Sequence, residues 1–237
     1  RMVLVLYGTE LSGPVRAVLL TLRALQLDFE FRPIDVTAGE QLLEDFVRKN
    51  PQHTVPLLED RDACIWDSHA ISGYLVHKYG ADNDALYPRE PLQRAVVDQR
   101  LHYESGVLYV QWKQLKQLLF HENVTDLPLE QLLESYALLN RLLAGRAYIA
   151  GDQLTIADFS IVATLSPLHL SVAPVDAAKY PALSAWLARI SALPYYEEGN
   201  LKGARLVAER VRAKLPKQFD KLWQKAFEDI KSGAGKQ

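Results

Sequence analysis

The chain has 237 residues, with 27 Lys and Arg against 29 Asp and Glu, a formal charge of −2, and 49% apolar residues. This is ordinary globular composition, long enough for one large domain or two small ones, and it excludes a mostly disordered chain. The balanced charge gives no global reason to expect nucleic acid as a partner. No apolar stretch approaches the roughly 18 residues of a membrane span, so no membrane partner is expected, and the short opening run does not read as a secretory signal. One cysteine, Cys64, allows no intrachain disulfide and fits a reducing, cytoplasmic setting. Beside Ile65 and Trp66 it reads as a buried packing residue.

In chain order, the apolar run from Val3 to Tyr7 predicts a strand. Gly8, Ser12, Gly13 and Pro14 punctuate it before a helix-period stretch from Val15 to Leu27. A second strand is expected over Phe29–Ile34, a short helix over Gly39–Arg48, and strands over Thr54–Leu58 and Ala63–Trp66. A helix from Ser68 to about Lys78 completes β-α-β-α-β-β-α within residues 1–80. A polar stretch with Pro88 over 81–90 reads as a linker, and 91–237 is helix-period almost throughout. Helices are expected over about Pro91–Phe120, Pro128–Leu143, Thr155–Leu170 and Pro181–Leu193. Two or more amphipathic segments follow Gly203, and the last six residues read as a frayed tail. The fold class is therefore an α/β domain followed by an all-α domain.

Three segments bear on chemistry. Pro56 falls inside an otherwise good strand and removes a ladder donor, so it should end that strand in a tight turn, with a raised chance of a cis bond. Such a bend frees the Val55 N–H and C=O for an extended peptide, the alternative being a proline at a sheet edge with no ligand role. Asp67 and Ser68 open a helix directly after a strand, where free N–H groups favour an anion; together they suit an amino-acid head group, although both are simply good N-caps. Ser12 stands at the matching place on the first helix. It lacks a G-x-S-x-G setting, so it fits donation to a thiolate better than nucleophilic attack. As an N-cap it needs no ligand at all. Thr155-Ile156-Ala157-Asp158 has capping-box spacing and reads as structural. The six histidines make no metal pattern, and no nucleotide-binding glycine motif occurs.

Six segments in order identify the chain as resembling the cytosolic glutathione S-transferases, most nearly the insect epsilon or delta class. They are Leu4–Tyr7 with Leu11-Ser12-Gly13-Pro14-Val15-Arg16, Asn50–Pro56, Asp67–Ile71, His102-Tyr103-Glu104-Ser105-Gly106, Leu154–Phe159 and Leu193–Glu198. The resemblance implies a thioredoxin-like N-terminal domain that binds glutathione, an all-helical domain that supplies an electrophile pocket, and a homodimer. Reduced glutathione is then the co-substrate, with no covalently bound cofactor and no metal. Carried over by position, Ser12 activates the glutathione sulfur, and Val55, before an expected cis Pro56, pairs with the cysteinyl backbone. Asp67 and Ser68 hold the γ-glutamyl end, His53 lies near the glycyl end, and Gln41 stands where relatives often carry His. Tyr7 lies near where other classes use a tyrosine, but reads here as strand-end packing.

The second pocket is expected between the loop after the first strand and the long helix, with Leu11, Pro14, Tyr109, Trp112, Lys113, Lys116 and Phe120 as candidates. Aromatics on a helix are more often core, and lysines are usually solvated; if the lysines line the mouth, amphipathic or anionic electrophiles are favoured. The tail with Leu206, Val207, Val211, Leu215, Phe219, Leu222, Trp223 and Phe227 either closes over the pocket or packs as an ordinary terminal helix. Dimer contacts are expected from the Ser68 helix and from Arg94, Asp98 and His102. The function expected is conjugation of glutathione to small hydrophobic electrophiles. The alternatives are a glutathione-dependent carrier of apolar ligands such as steroids, and a non-catalytic interaction module.

Overall fold

The computed structural model describes residues 4–80, 85–121 and 127–215. Its first part runs β1 (Leu4–Gly8), α1 (Gly13–Ala24), β2 (Phe29–Pro33), a 3-10 turn (Glu40–Leu42), α2 (Glu44–Lys49), β3 (Leu57–Asp60), β4 (Ala63–Trp66) and α3 (Ser68–Tyr79). The strands form one mixed sheet in the order β2-β1-β3-β4. β1 pairs parallel with β2, Leu4 opposite Phe29, and antiparallel with β3, Tyr7 opposite Leu57. β1 is covered on both faces, which is why its sequence is an unbroken apolar run rather than an alternating one. Leu4 and Leu6 pack with Val15, Val18, Leu22 and Ile71 of α1 and α3, while Val5 and Tyr7 pack with Phe46 and Leu57.

The helical part runs α4 (Pro91–Tyr103), a π turn (Glu104–Leu108), α5 (Tyr109–His121), α6 (Glu130–Leu142), α7 (Ile156–His169), α8 (Pro181–Ser191), a second π turn (Glu197–Leu201) and α9 (Lys202–Arg212). α7 is buried from Ile156 to Leu168 and forms the centre of this core. Its start is specified as the sequence predicts: the buried Asp158 carboxylate accepts the Thr155 N–H at 2.8 Å and the Thr155 hydroxyl at 3.0 Å, and also the Ile149 N–H and the Trp186 indole N–H. α1 packs against α7, and Leu20 of α1 belongs to the helical core, so the two parts share one interior seam.

Several expectations change in detail. Thr54-Val55-Pro56 lies outside the ladder, so Pro56 precedes β3 instead of ending it: with no N–H to give, it can stand only before the first pair, Leu57 opposite Trp66. The helix expected over Pro91–Phe120 is split by the π turn, which the apolar spacing of Leu101, Leu108 and Leu115 does not register. Cys64 is half-buried, because β4 is an edge strand. The last segment begins its π turn at Glu197, before Gly203, and its helix ends at Arg212. Within it Val207 and Val211 are buried in the helical core, as in an ordinary terminal helix, while Leu206 is exposed. Phe219, Leu222, Trp223, Phe227 and the expected frayed tail lie outside the described residues.

Candidate active site

The loop between β1 and α1 brings Ser12 to the helix N-terminus. Its N–H donates to Thr9 O at 2.9 Å, and its Oγ accepts a long bond, 3.4 Å, from the Val15 N–H. Pro14 in the first turn has no N–H of its own. Among the described residues the Ser12 hydroxyl proton has no acceptor, so it is free to donate to an anion at the positive end of α1.

This loop is held from behind by a residue that the sequence analysis did not single out. Arg16, one turn after Ser12 and fully buried, donates from Nη1 to Glu10 O at 2.8 Å, from Nη2 to Ala163 O at 2.7 Å, and from Nε to Asn200 Oδ1 at 2.9 Å. Asn200 in turn donates to Ser166 Oγ at 2.8 Å. Burial pushes the guanidinium down to about 10, so it remains a cation at neutral pH. The signal was present in the sequence, a lone charge within the apolar stretch from Val15 to Leu22.

The glutathione-side candidates lie on two turns and, for Gln41, in the 3-10 turn. Asn50, fully buried, donates from Nδ2 to Thr54 O at 2.8 Å and accepts the Gln52 N–H at 3.0 Å, shaping the turn that carries His53. His53 has φ +47°, and the Val55–Pro56 bond that follows is cis. Asp67, at φ +71°, caps α3 by accepting the His69 and Ala70 N–H groups at 2.9 and 3.1 Å, both on Oδ1. Its other carboxylate oxygen has no partner among the described residues. Ser68 beside it is buried. Gln41, in the 3-10 turn, donates weakly to Val36 O at 3.4 Å, and its Oε1 is buried without a donor.

His69 then ties this end to the helical part: its Nε2 lies 2.7 Å from Ser160 Oγ and 3.2 Å from Glu104 Oε2. Glu104, buried in the first π turn, also accepts the Thr164 hydroxyl at 2.5 Å. Both residues stood in quoted motifs, but nothing in the sequence paired them across 35 positions.

The Tyr7 side chain lies on the face of the sheet opposite the helix that Ser12 caps. Its hydroxyl donates to Glu59 at 2.9 Å and accepts from Arg32 at 2.8 Å and Lys49 at 2.9 Å, on the face of the sheet that packs with Phe46. Of the second-pocket candidates, Leu11, Pro14, Tyr109 and Lys116 are half-buried, Lys113 is exposed, and Phe120 is 40% exposed. Trp112 takes the core reading: it is 3% exposed and belongs to the helical core, on the buried stripe of α5 with Leu115 and Leu119. Only its ring face is offered, to the Lys116 ammonium at 5.2 Å.

With this geometry in hand, the comparisons decide the family. The N-terminal domain model of the glutathione S-transferases matches residues 2–77, and the C-terminal domain model matches 119–194. The chain belongs to the glutathione S-transferase family. Glutathione S-transferase 1 of Manduca sexta is 43% identical over 218 residues, 90% of this chain and all of that one. An epsilon-class glutathione S-transferase from the housefly, Musca domestica, superposes with a TM-score of 0.85 at 49% identity, covering 89% of this chain and 98% of that one. A glutathione transferase homologue from Drosophila mojavensis, solved with bound glutathione, has a TM-score of 0.84 at 46% identity, covering 90% and 98%.

The chain is therefore a transferase of this family, whose co-substrate is glutathione, built on a thioredoxin-like sheet domain with an attached helical domain. Among the described residues no helix is long and apolar enough to cross a membrane, and no His, Cys, Asp and Glu cluster has the makings of a metal site.

Proposed function

We propose that this glutathione S-transferase conjugates the thiolate of reduced glutathione to small hydrophobic electrophiles, in cytoplasmic detoxification, as a homodimer. Ser12 is the activating group. The observation that carries this is its hydroxyl proton, without an acceptor among the described residues, at the N-terminus of α1 beside a loop locked by Arg16.

A free thiol of pKa about 8.5 is only a few per cent ionised at pH 7. A hydroxyl donor and a helix terminus, each worth roughly 1–2 kcal/mol, lower it by about one to two units and make the thiolate a substantial species. The sulfur then attacks the electrophilic carbon and the leaving group departs with its electron pair; Ser12 transfers no proton. In the same reading Val55 pairs its backbone with the cysteinyl unit, cis Pro56 keeps that segment out of the ladder, and Ser68 and the free Asp67 oxygen take the γ-glutamyl carboxylate and ammonium. His53 and Gln41 flank the glycyl end. The unpartnered Gln41 Oε1 supports a polar ligand group there.

The dimer reading uses α3 and α4. Arg94 and Asp98 are committed within the chain, Arg94 to the Pro88 and Tyr87 carbonyls and Asp98 to the Tyr87 hydroxyl, so they stiffen the start of α4 while His102 stays exposed.

The test is Ser12→Ala, with calorimetry of glutathione binding, ultraviolet titration of the bound thiolate, and initial rates with 1-chloro-2,4-dinitrobenzene. Retained binding, a thiol pKa raised by about one unit and a kcat lowered at least tenfold are expected. An unchanged thiolate titration refutes the role of Ser12, and absence of glutathione binding by the parent protein refutes the reading as a whole.

A further inference from the structure

We infer that Lys116 makes the electrophile pocket a binding site for acceptors carrying an anionic group, such as an aryl carboxylate, on the side of the ring away from the reacting carbon. This inference rests on the conjugation reading and names the substrate class of that same pocket.

Lys116 lies on α5 two turns after Tyr109, and seven residues of helix return to nearly the same face, so the two share one stripe. The charge of Arg16, on α1, reaches both: it opposes the Lys116 charge and acts on the Tyr109 hydroxyl. Arg16 is one turn from Ser12, so Lys116 lies within electrostatic range of the residue that holds the Ser12 loop. The ammonium is half-buried over the Trp112 ring and makes no ion pair or hydrogen bond with any described residue.

The two carboxylates that act on Arg16 and Tyr109 are engaged elsewhere. Glu104 is held by Thr164 and lies against His69, and Glu10 reaches Lys202 at 3.8 Å. Lys113 and Arg16 add positive charge on the same side, and burial together with these two cations pushes the Lys116 ammonium below its ordinary value. A half-buried cation with cationic neighbours and no counter-ion among the described residues is relieved by an anion brought in with the ligand. An apolar ring against Leu11, Pro14 and Tyr109 with a carboxylate at Lys116 satisfies both requirements.

The experiment compares 4-chloro-3,5-dinitrobenzoate with its uncharged amide, 4-chloro-3,5-dinitrobenzamide. The two share one reaction: the glutathione sulfur bonds to the ring carbon, the carbon–chlorine bond breaks, and chloride leaves. The readout is the acid-to-amide ratio of kcat/KM, corrected for the two uncatalysed rates. Lys116→Met is expected to lower that ratio about fivefold, Lys116→Glu to lower it further, and Lys116→Arg to keep it, with the preference weakening at high salt.

Calorimetry with S-(4-carboxybenzyl)glutathione and S-(4-carbamoylbenzyl)glutathione repeats the comparison without turnover, and melting curves check that each variant folds. An equal ratio in parent and Lys116→Met, by rates and by calorimetry, overturns the inference while leaving the conjugation reading in place. Failure of glutathione itself to bind the parent protein overturns that reading and this inference with it.

Discussion

Gly203 offers the sharpest perturbation of the arrangement around Ser12, because it acts by volume alone. It stands in the first turn of α9, and a Cβ built there would overlap the Glu10 carbonyl oxygen, lie 3.0 Å from its carbon and 2.9 Å from Arg16 Cδ. The same carbonyl accepts the Arg16 Nη1 bond at 2.8 Å, two residues before Ser12. α9 is held on this side, since Ala204, Val207, Ala208 and Val211 are buried on the same face as Gly203 and backing away would unpack them. In Gly203→Ala the carbonyl must therefore yield, by about 1 Å, and carry Leu11 and Ser12 with it, a displacement that can cost on the order of 100-fold in rate. Stability moves less: overpacking costs roughly 1–3 kcal/mol, and the helix preference of Ala over Gly returns about 1 kcal/mol. The assay pairs kcat/KM for glutathione conjugation with a melting curve and the thiolate titration. Activity within threefold of the parent, at an unchanged melting temperature, would refute the claim that α9 sets the position of the Ser12 loop.

Three further predictions test other parts. Burial alone would raise the Asp60 carboxyl, but the Lys78 ammonium and the Tyr74 and Tyr79 hydroxyls, each 2.6 Å away, outweigh it and hold the group down at about 2. Its contribution, about 2 kcal/mol, is present above pH 4 and lost as pH falls toward 2, so denaturant titrations of Asp60→Asn should show that loss already at pH 7 and a flatter profile below pH 4. The His169 ring, whose Nδ1 accepts the Val175 N–H at 3.0 Å, is pushed down to about 4 by burial. It is neutral in the folded chain while the unfolded chain binds a proton below pH 6.5, so stability should fall by about 2 kcal/mol between pH 6.5 and 4, after allowance for its partial exposure, and His169→Gln should remove most of that slope. Finally, Tyr7→Phe should leave kcat within twofold while costing about 1 kcal/mol of stability through the lost Glu59, Arg32 and Lys49 contacts; a tenfold fall in kcat would instead make Tyr7 the thiol's partner.

What was legible in the sequence follows from the range of each interaction. The strands and helices of residues 4–80 follow from local apolar period and punctuation, and the start of α7 from a box four residues long, so these emerge nearly in place. The place of Ser12 at a helix start is local too, written in Gly8, Gly13 and Pro14. Pro56 shows where local reading fails by a small margin: the missing N–H was recognised, but whether it ends one strand or precedes another depends on which partner starts pairing, here Trp66 with Leu57. Trp112 shows a different limit: spacing along α5 defines a stripe but not which side of it meets the core, and Trp112 goes inward with Leu115 and Leu119 while Lys116 stays half-buried.

The links that position the site span far longer separations. Arg16 to Asn200 covers 184 residues, Arg16 to Ala163 covers 147, and His69 to Ser160 covers 91. Each joins the sheet domain to the helical one, and each bears on a residue within four positions of Ser12 or Ser68. An isolated loop and an isolated helix cap would present the same hydroxyls but without fixed separation, and a thiolate held at one and an amino-acid head group held at the other need that separation kept. The buried Arg16 and Glu104 are costly groups to desolvate, and each is tolerated because its partners come from both domains at once. In the proposed reading, the helical domain therefore contributes to the geometry of the glutathione site as well as to the second pocket. Changes at Asn200 or Ser160, neither of which carries a group assigned to glutathione, should accordingly alter kcat rather than the chemistry of the acceptor: Asn200→Ala should lower kcat for the acid and amide substrates by the same factor, whereas Lys116→Met separates them.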